Sequence, residues 1–372
     1  MSPDIQPQFD FDFAVDCREM TKPKFSALAQ ILVSLLRDNS EFTYLLLSDI
    51  PLPAELVPEG ATNVVWGRSA PSGLQVVRYQ YWMKRTVDAH SVQYFYEVDH
   101  YALFRLKAAT RITTIHDLYV LEGIEHYPVR HRLPYKLFTR ATLRNSDIIH
   151  VDTKFTESRL RKMFGARVPK VVVVPVGIDP PLTKAEPVTS LEGKRFLLAL
   201  GRLSYWKGTA ALAAMFQEHL SSSGLNLVFA GRCDEREFEA KAAVEALVEG
   251  CPDVVWLDYV SHAQREWLLQ NAAVLCYPSR YDGFGMPPVE AALRGTPCLM
   301  SDIPVLREVT GNLGQYVDFF GRPTDAAHRL QEMSREKDQP NAVELQQLAS
   351  SYSWHHFFAR VIDGSRRSSD QR

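Results

Sequence analysis

The chain has 372 residues, of which 46% are hydrophobic and 23% charged, and its formal net charge is -2. That length exceeds what a single core supports, so two domains are expected, and the near-neutral balance argues against a nucleic-acid partner. Five cysteines (Cys17, Cys233, Cys251, Cys276 and Cys298) show no CxxC or CxxH spacing, which argues against a disulfide framework or a zinc site and fits a reducing cytosol.

The N-terminus, MSPDIQPQFDFDF, lacks the basic and apolar regions of a signal peptide. No apolar run approaches the roughly 20 residues that span a bilayer. Short β-branched runs alternate with amphipathic segments, which predicts an α/β chain with parallel sheets. In the first half strands are expected near 11–16, 43–48, 62–66, 91–96, 111–115, 147–151 and 171–175, with a helix over 24–38. Asp10-Phe11-Asp12 is the clear D-x-D of the chain, and its place at the first strand reads as strand-edge polarity. His116-Asp117 closes the strand RITTI at its carboxyl end, where open parallel sheets bind ligands. A cap reading is also open, with Asp117 starting the next helix and His116 oriented by packing.

Arg132, Lys136, Arg140 and Arg144 recur at four-residue intervals, with Leu133, Leu137, Phe138 and Ala141 among them. On a helix this makes a basic stripe beside an apolar one. Residues 101–170 hold 14 Lys and Arg against 6 Asp and Glu. The bias suits an anionic membrane or a lipid diphosphate; a plainly solvated face is the other reading.

After the turn 175–180, the polar stretch 181–193 is the expected interdomain linker. A second cycle follows, with strands near 195–200, 226–230, 254–257, 273–277 and 297–300, and helices over 208–220 and 262–272. The loop Gly201-Arg202-Leu203-Ser204-Tyr205-Trp206-Lys207-Gly208 lacks the spacing of a dinucleotide fold and offers two cations at a strand's carboxyl end. An aromatic amphipathic helix over 354–362 ends the chain.

The most telling stretch is Tyr281–Val309. Asp282 and Glu290 stand on either side of a turn containing Gly283 and Gly285, which opens into a helix fixed at its start by Pro287 and Pro288. A helix mouth binds anions, and acids beside it can grip hydroxyls, so the run describes a nucleotide-sugar site.

The run D-G-F-G-M-P-P-V-E-A, followed by R-G-T-P-C, resembles the signature of the retaining glycosyltransferases of family four. Their usual form is E-G-F-G-L-P-x-x-E-A with a G-T-P-V turn. Asp282 replaces the first glutamate and is one methylene shorter. The run T-T-I-H-D-L also resembles the family's T-V-H-D-L. The family often has a glycine-rich loop after its first strand, where this chain reads Asp16-Cys17-Arg18-Glu19-Met20-Thr21-Lys22-Pro23, with Lys24 as a side-chain substitute.

The resemblance implies a GT-B fold of two Rossmann-like doubly wound domains facing a central cleft. Residues 1–180 would form the acceptor-side domain, 181–193 the linker, 194–352 the nucleotide-sugar domain, and 353–372 a helix crossing back to the first. It implies that Arg202 and Lys207 hold the donor diphosphate, Glu290 the ribose, Asp282 the sugar hydroxyls, and the amides from Gly283 through Phe284 and Gly285 to Met286 the sugar or phosphate. Tyr259 and Val260 would lie near the base, and His116 would hold a donor-sugar hydroxyl at the reacting carbon. The expected activity is metal-independent, retaining hexosyl transfer, with mannose from GDP-mannose as the first choice. The acceptor would be a saccharide or lipid-linked glycan of bacterial surface-polysaccharide synthesis, and the enzyme would be cytoplasmic and peripheral on the inner membrane face. A UDP-sugar transferase or synthase, or a non-catalytic nucleotide-binding partner subunit, are the alternatives.

Overall fold

The structure is a computed structural model that describes residues 9–21, 27–67, 74–107, 109–122, 129–181, 184–233, 237–335 and 342–367. Lys24 lies outside the described residues. The chain divides into two compact units: Met1–Gly177 with Ser353–Arg372, and Ile178–Tyr352. The units part at Gly177, ahead of the expected linker. Within 184–193, Val188 and Leu191 are buried in the second unit, and the Glu186 amide donates to the Ala263 carbonyl.

The first unit comprises β1 (Phe11–Asp16), α1 (Ala27–Arg37), β2 (Tyr44–Ser48), β3 (Thr62–Val65), α2 (Leu74–Ala89), β4 (Val92–Glu97), β5 (Thr110–Thr114), α3 (Tyr119–Glu122), α4 (Val129–Asn145), β6 (Ile148–Val151), α5 (Lys154–Phe164) and β7 (Lys170–Val173). Its seven strands are parallel, in the order β3-β2-β1-β4-β5-β6-β7. A strand covered on both faces must be apolar at nearly every position, and β2 (YLLLS) is buried throughout. On β1, Ala14 packs with Tyr79, Met83 and Val87 of α2. The next residue back, Phe13, points the other way and stacks on Phe358, ring centroids 4.0 Å apart.

Phe358 belongs to the last helix of the chain. In the second unit the order is β8 (Phe196–Leu200), α6 (Thr209–His219), β9 (Asn226–Ala230), α7 (Phe238–Gly250), β10 (Val254–Leu257), α8 (His262–Asn271), β11 (Val274–Tyr277), α9 (Met286–Leu293), β12 (Cys298–Ser301), α10 (Pro304–Thr310), β13 (Gln315–Val317), α11 (Pro323–Arg335) and α12 (Ala342–Ser351). Its six strands are also parallel, in the order β10-β9-β8-β11-β12-β13. The short β13 is absent from the expected strands, because three half-buried residues carry too little periodicity to read.

α13 (Phe357–Arg367) is part of the first unit. Phe357 and Phe358 are fully buried among Phe13, Tyr44, Tyr96 and His150. Gly177 has no side chain because the Trp354 indole fills the space: a Cβ there would lie 2.3 Å from the ring. Truncating a buried aromatic removes its transfer energy and leaves a cavity. Phe358→Ala should therefore lower the unfolding free energy of the first unit by about 3–5 kcal/mol, read as a fall in its urea midpoint.

Candidate functional site

Both sheets reverse strand order once, between β1 and β4 in the first unit and between β8 and β11 in the second. Ligands of open parallel sheets bind at such a reversal, beyond the carboxyl ends of the strands, because the two flanking loops diverge there. In the second unit those loops are 201–208 and 278–285, the two that carry the phosphate and acid motifs.

Backbone bonds hold the two loops together. The Arg280 amide donates to the Trp206 carbonyl (2.7 Å), and Ser279 Oγ reaches the same oxygen (3.2 Å). Gly208 starts α6 with φ of 64°, and a Cβ there would stand 2.0 Å from the Pro278 carbonyl oxygen. Only glycine satisfies both conditions. The approach brings Lys207 Nζ 2.5 Å from Asp282 Oδ2 and 2.7 Å from the Tyr277 hydroxyl. Tyr277 in turn donates to Asp282 Oδ2 (2.6 Å), and Ser279 Oγ lies 3.3 Å from the same atom. Burial first, then the charge and hydrogen bond of Asp282 and the charge of Glu290, push the Tyr277 phenol far above its usual range. Tyr277 therefore stays neutral and bridges the ammonium and the carboxylate.

Glu290 lies on α9, buried, and forms a two-pronged pair with Arg265 of α8; the Nη1–Oε1 arm is 2.8 Å and the second joins Nη2 to Oε2. Arg265 orients the carboxylate, while its remaining lone pairs can still accept from a hydroxyl. α9 begins at Met286 with Gly285 as its cap, so Pro287 and Pro288 occupy its second and third positions. Neither has an N–H, which confines the donors of this helix mouth to the amides up to Met286 and to those beyond the prolines.

Arg202 is exposed and forms no hydrogen bond or ion pair among the described residues, leaving it free at the end of β8. Tyr259, 56% exposed, follows β10, and the Arg232 guanidinium sits 4.8 Å above its ring, with Val260 half-buried beside it. These residues share the carboxyl edge of the second sheet. Asp12 is elsewhere: at the amino end of β1 it accepts from the Thr43 amide and hydroxyl, both at 2.8 Å, as expected of a strand edge.

In the first unit, His116 follows β5 and is tied to both neighbouring strand ends. Nδ1 lies 2.6 Å from Asp152 Oδ2, beyond β6, and Nε2 lies 2.8 Å from the Val98 carbonyl, beyond β4. Both partners only accept, so both ring nitrogens carry protons. Burial opposes the charge, but the Asp152 carboxylate, with Asp99 and Asp117, outweighs it and raises the pKa from 6.5 to about 9. To hold a sugar hydroxyl, His116 would have to exchange one of these bonds. His150, buried next to Asp152, is held below its usual value by burial. Where a glycine-rich loop is absent after β1, Arg18 makes a bidentate pair with Asp16 (Nη2–Oδ2 2.6 Å, Nε–Oδ1 3.1 Å), and the Tyr79 hydroxyl donates to Asp16 Oδ1. The four cations of the basic stripe lie on α4, with Lys136, Arg140 and Arg144 exposed and Arg132 half-buried.

Sequence reasoning missed Tyr277, Arg265, Asp152 and Asp99. Arg265 and Asp152 meet their partners 25 and 36 residues away, so no local spacing announces them.

Residues 183–347 match the family model described as glycosyl transferases group 1, which supports a group 1 glycosyltransferase. Over 222 residues the chain is 28% identical to a glycogen synthase of Mycobacterium tuberculosis, covering 57% of this chain and 52% of that protein. Over 178 residues it is 31% identical to the GDP-mannose:cellobiosyl-diphosphopolyprenol alpha-mannosyltransferase of Xanthomonas oryzae, covering 45% and 46%. The alignment thus spans about half the length of these relatives. Among solved structures, Anabaena Alr3699/HepE in complex with UDP-glucose superposes with a TM-score of 0.70 at 14% identity, over 97% of this chain and 100% of that one. The chain has the α/β, two-domain GT-B fold.

A histidine whose folded pKa is raised gives stability that is complete below its unfolded pKa and is lost as pH rises through the folded one. The stability gap between the native protein and His116→Gln should therefore be full at pH 6, about 3 kcal/mol, and close between pH 6.5 and pH 9. Urea midpoints of both proteins at pH 6, 8 and 10 check this, and a gap that ignores pH refutes the imidazolium.

Proposed function

We propose that this protein is a retaining, metal-independent glycosyltransferase that moves a hexose from a nucleotide sugar to a saccharide or lipid-linked acceptor. The observation that carries the reading is the Lys207–Tyr277–Asp282 cluster at the strand reversal of the second unit, with Arg202 free on the same edge. Cleaving a sugar–phosphate bond leaves negative charge on the diphosphate. Lys207 and Arg202 would stabilise that charge, each charge-assisted contact contributing about 1.5–3 kcal/mol. As Lys207 turns to the diphosphate, Asp282 would be released toward sugar hydroxyls, with Tyr277 retaining its bond to the acid. Glu290, held by Arg265, would take the ribose, and Tyr259 and Val260 would lie near the base.

No side chain is assigned as nucleophile; the departing diphosphate would help remove the acceptor proton on the same face, which preserves the configuration of the sugar. His116, as a fixed cation, would serve better to hold an anionic or hydroxyl oxygen than to act as a base. Mannose from GDP-mannose is the first assignment, supported by the name of the Xanthomonas relative. A UDP-sugar donor is the second, supported by the UDP-glucose complex of the Anabaena neighbour. In this reading the protein works in the cytoplasm on bacterial surface polysaccharide, peripherally on the inner face of the membrane, where the α4 cations meet anionic lipid.

Thermal unfolding with GDP, UDP, dTDP and ADP selects the base: the right diphosphate at 100 times its dissociation constant adds about 2.7 kcal/mol. Lys207→Ala and Glu290→Ala should each lower sugar transfer about a hundredfold or more. Unchanged rates in both variants reject the assigned site.

A further inference from the structure

The basic stripe of α4 does not face water alone. Val129, Leu133 and Leu137, one turn apart on the same helix, are 68%, 53% and 53% exposed, an unusual run of large apolar side chains for a solvated face. They share that face with Lys136, Arg140 and Arg144. The helix sequence, VRHRLPYKLFTRATLRN, contains no acid. Among the described residues, none of the Arg132, Lys136, Arg140 and Arg144 side chains forms an ion pair. Among the described residues of α3 and α5, Glu122 pairs with Arg159 and Glu157 with Arg161. Arg132 Nε is buried with no hydrogen-bond partner among the described residues, a costly arrangement unless an anion meets this guanidinium.

Beside this face residues of α3, α4 and α5 line an open hollow of about 290 Å³. Leu121, Val129, Leu133, Met163 and Phe164 make its apolar wall, while Arg132 and Lys136 also line it. An apolar recess with unneutralised cations on its lining is complementary to one kind of molecule, an anion joined to a hydrocarbon chain.

We propose that this hollow seats the hydrocarbon chain of a phosphate-headed lipid, with the head against Arg132 and Lys136 and the Val129–Leu133–Leu137 ridge in the membrane interface. The proposal rests on the membrane reading above and narrows it to one recess; it does not depend on the transfer chemistry of the second unit.

Octyl and decyl phosphate, used as monomers below their micellar concentrations, test the full chain by calorimetry, with inorganic phosphate as the control. Decyl phosphate should bind with one-to-one stoichiometry and about tenfold more tightly than octyl phosphate, because each buried methylene adds to the affinity. Inorganic phosphate should show no measurable binding. Leu121→Trp and Met163→Trp, which add bulk to the recess from α3 and from α5, should each weaken decyl phosphate at least tenfold while their urea midpoints stay near native. Arg132→Gln with Lys136→Gln should weaken both amphiphiles alike. Affinity that ignores chain length, or that survives both tryptophan variants, overturns the proposal. In a second arm, vesicles of mixed phosphatidylglycerol and phosphatidylcholine should co-sediment with the protein, and Arg140→Glu with Arg144→Glu should abolish this while sparing decyl phosphate. Binding neither to alkyl phosphates nor to vesicles assigns the face to a partner of another class and also overturns the proposal. Donor diphosphates should still raise the thermal stability of every variant, which separates this test from that of the transfer site.

Discussion

Lys207, Tyr277 and Asp282 meet because a parallel sheet cannot continue in both directions from one strand without its connections diverging. The chain leaves β8 toward β9 and β10, then returns to the other side of β8 to lay down β11. The loops after β8 and β11 therefore emerge side by side at the carboxyl edge, with a gap above the sheet. The ammonium and carboxylate are set in that gap, and a neutral phenol holds them in register. Everything proposed for the second unit depends on this crossing: the cations that would receive the diphosphate, the acid that would be freed by it, and the α9 mouth beside them.

The first unit repeats the plan with different contents. Its reversal lies between β1 and β4, and the loop beyond β1 is stiffened by the Arg18–Asp16 pair instead of being opened by glycine. Two strands away, His116 ties three successive strand ends through a carbonyl and a carboxylate. Its protonated state is a consequence of that geometry, since no partner offers a proton back. Asp99, drawn down to about 2 by the hydrogen bond and charge of His100 against the push of burial, keeps the same edge negative.

Much of this was legible in the sequence. All the strands but β13 declare themselves as short apolar runs, since burial on two faces leaves little room for polar residues. The loops carrying Arg202, Lys207 and Asp282, and the helix carrying Glu290, follow directly from strand ends and helix starts. α4 was legible as a helix with a cationic stripe, but not the direction in which Leu133 and Leu137 point. Periodicity places them beside the cations; only packing shows that the core is already filled by other residues, leaving these two in solvent.

The sequence by itself determined the α/β class, the strand–loop–helix units and the residue types at the carboxyl edges, because each depends on contacts between near neighbours in the chain. The tertiary structure decided the pairings: Glu290 with Arg265, Lys207 with Tyr277 and Asp282, His116 with Asp152. A charged side chain chooses its partner by which strands are adjacent, and adjacency in a doubly wound sheet follows the crossover, not the order of residues.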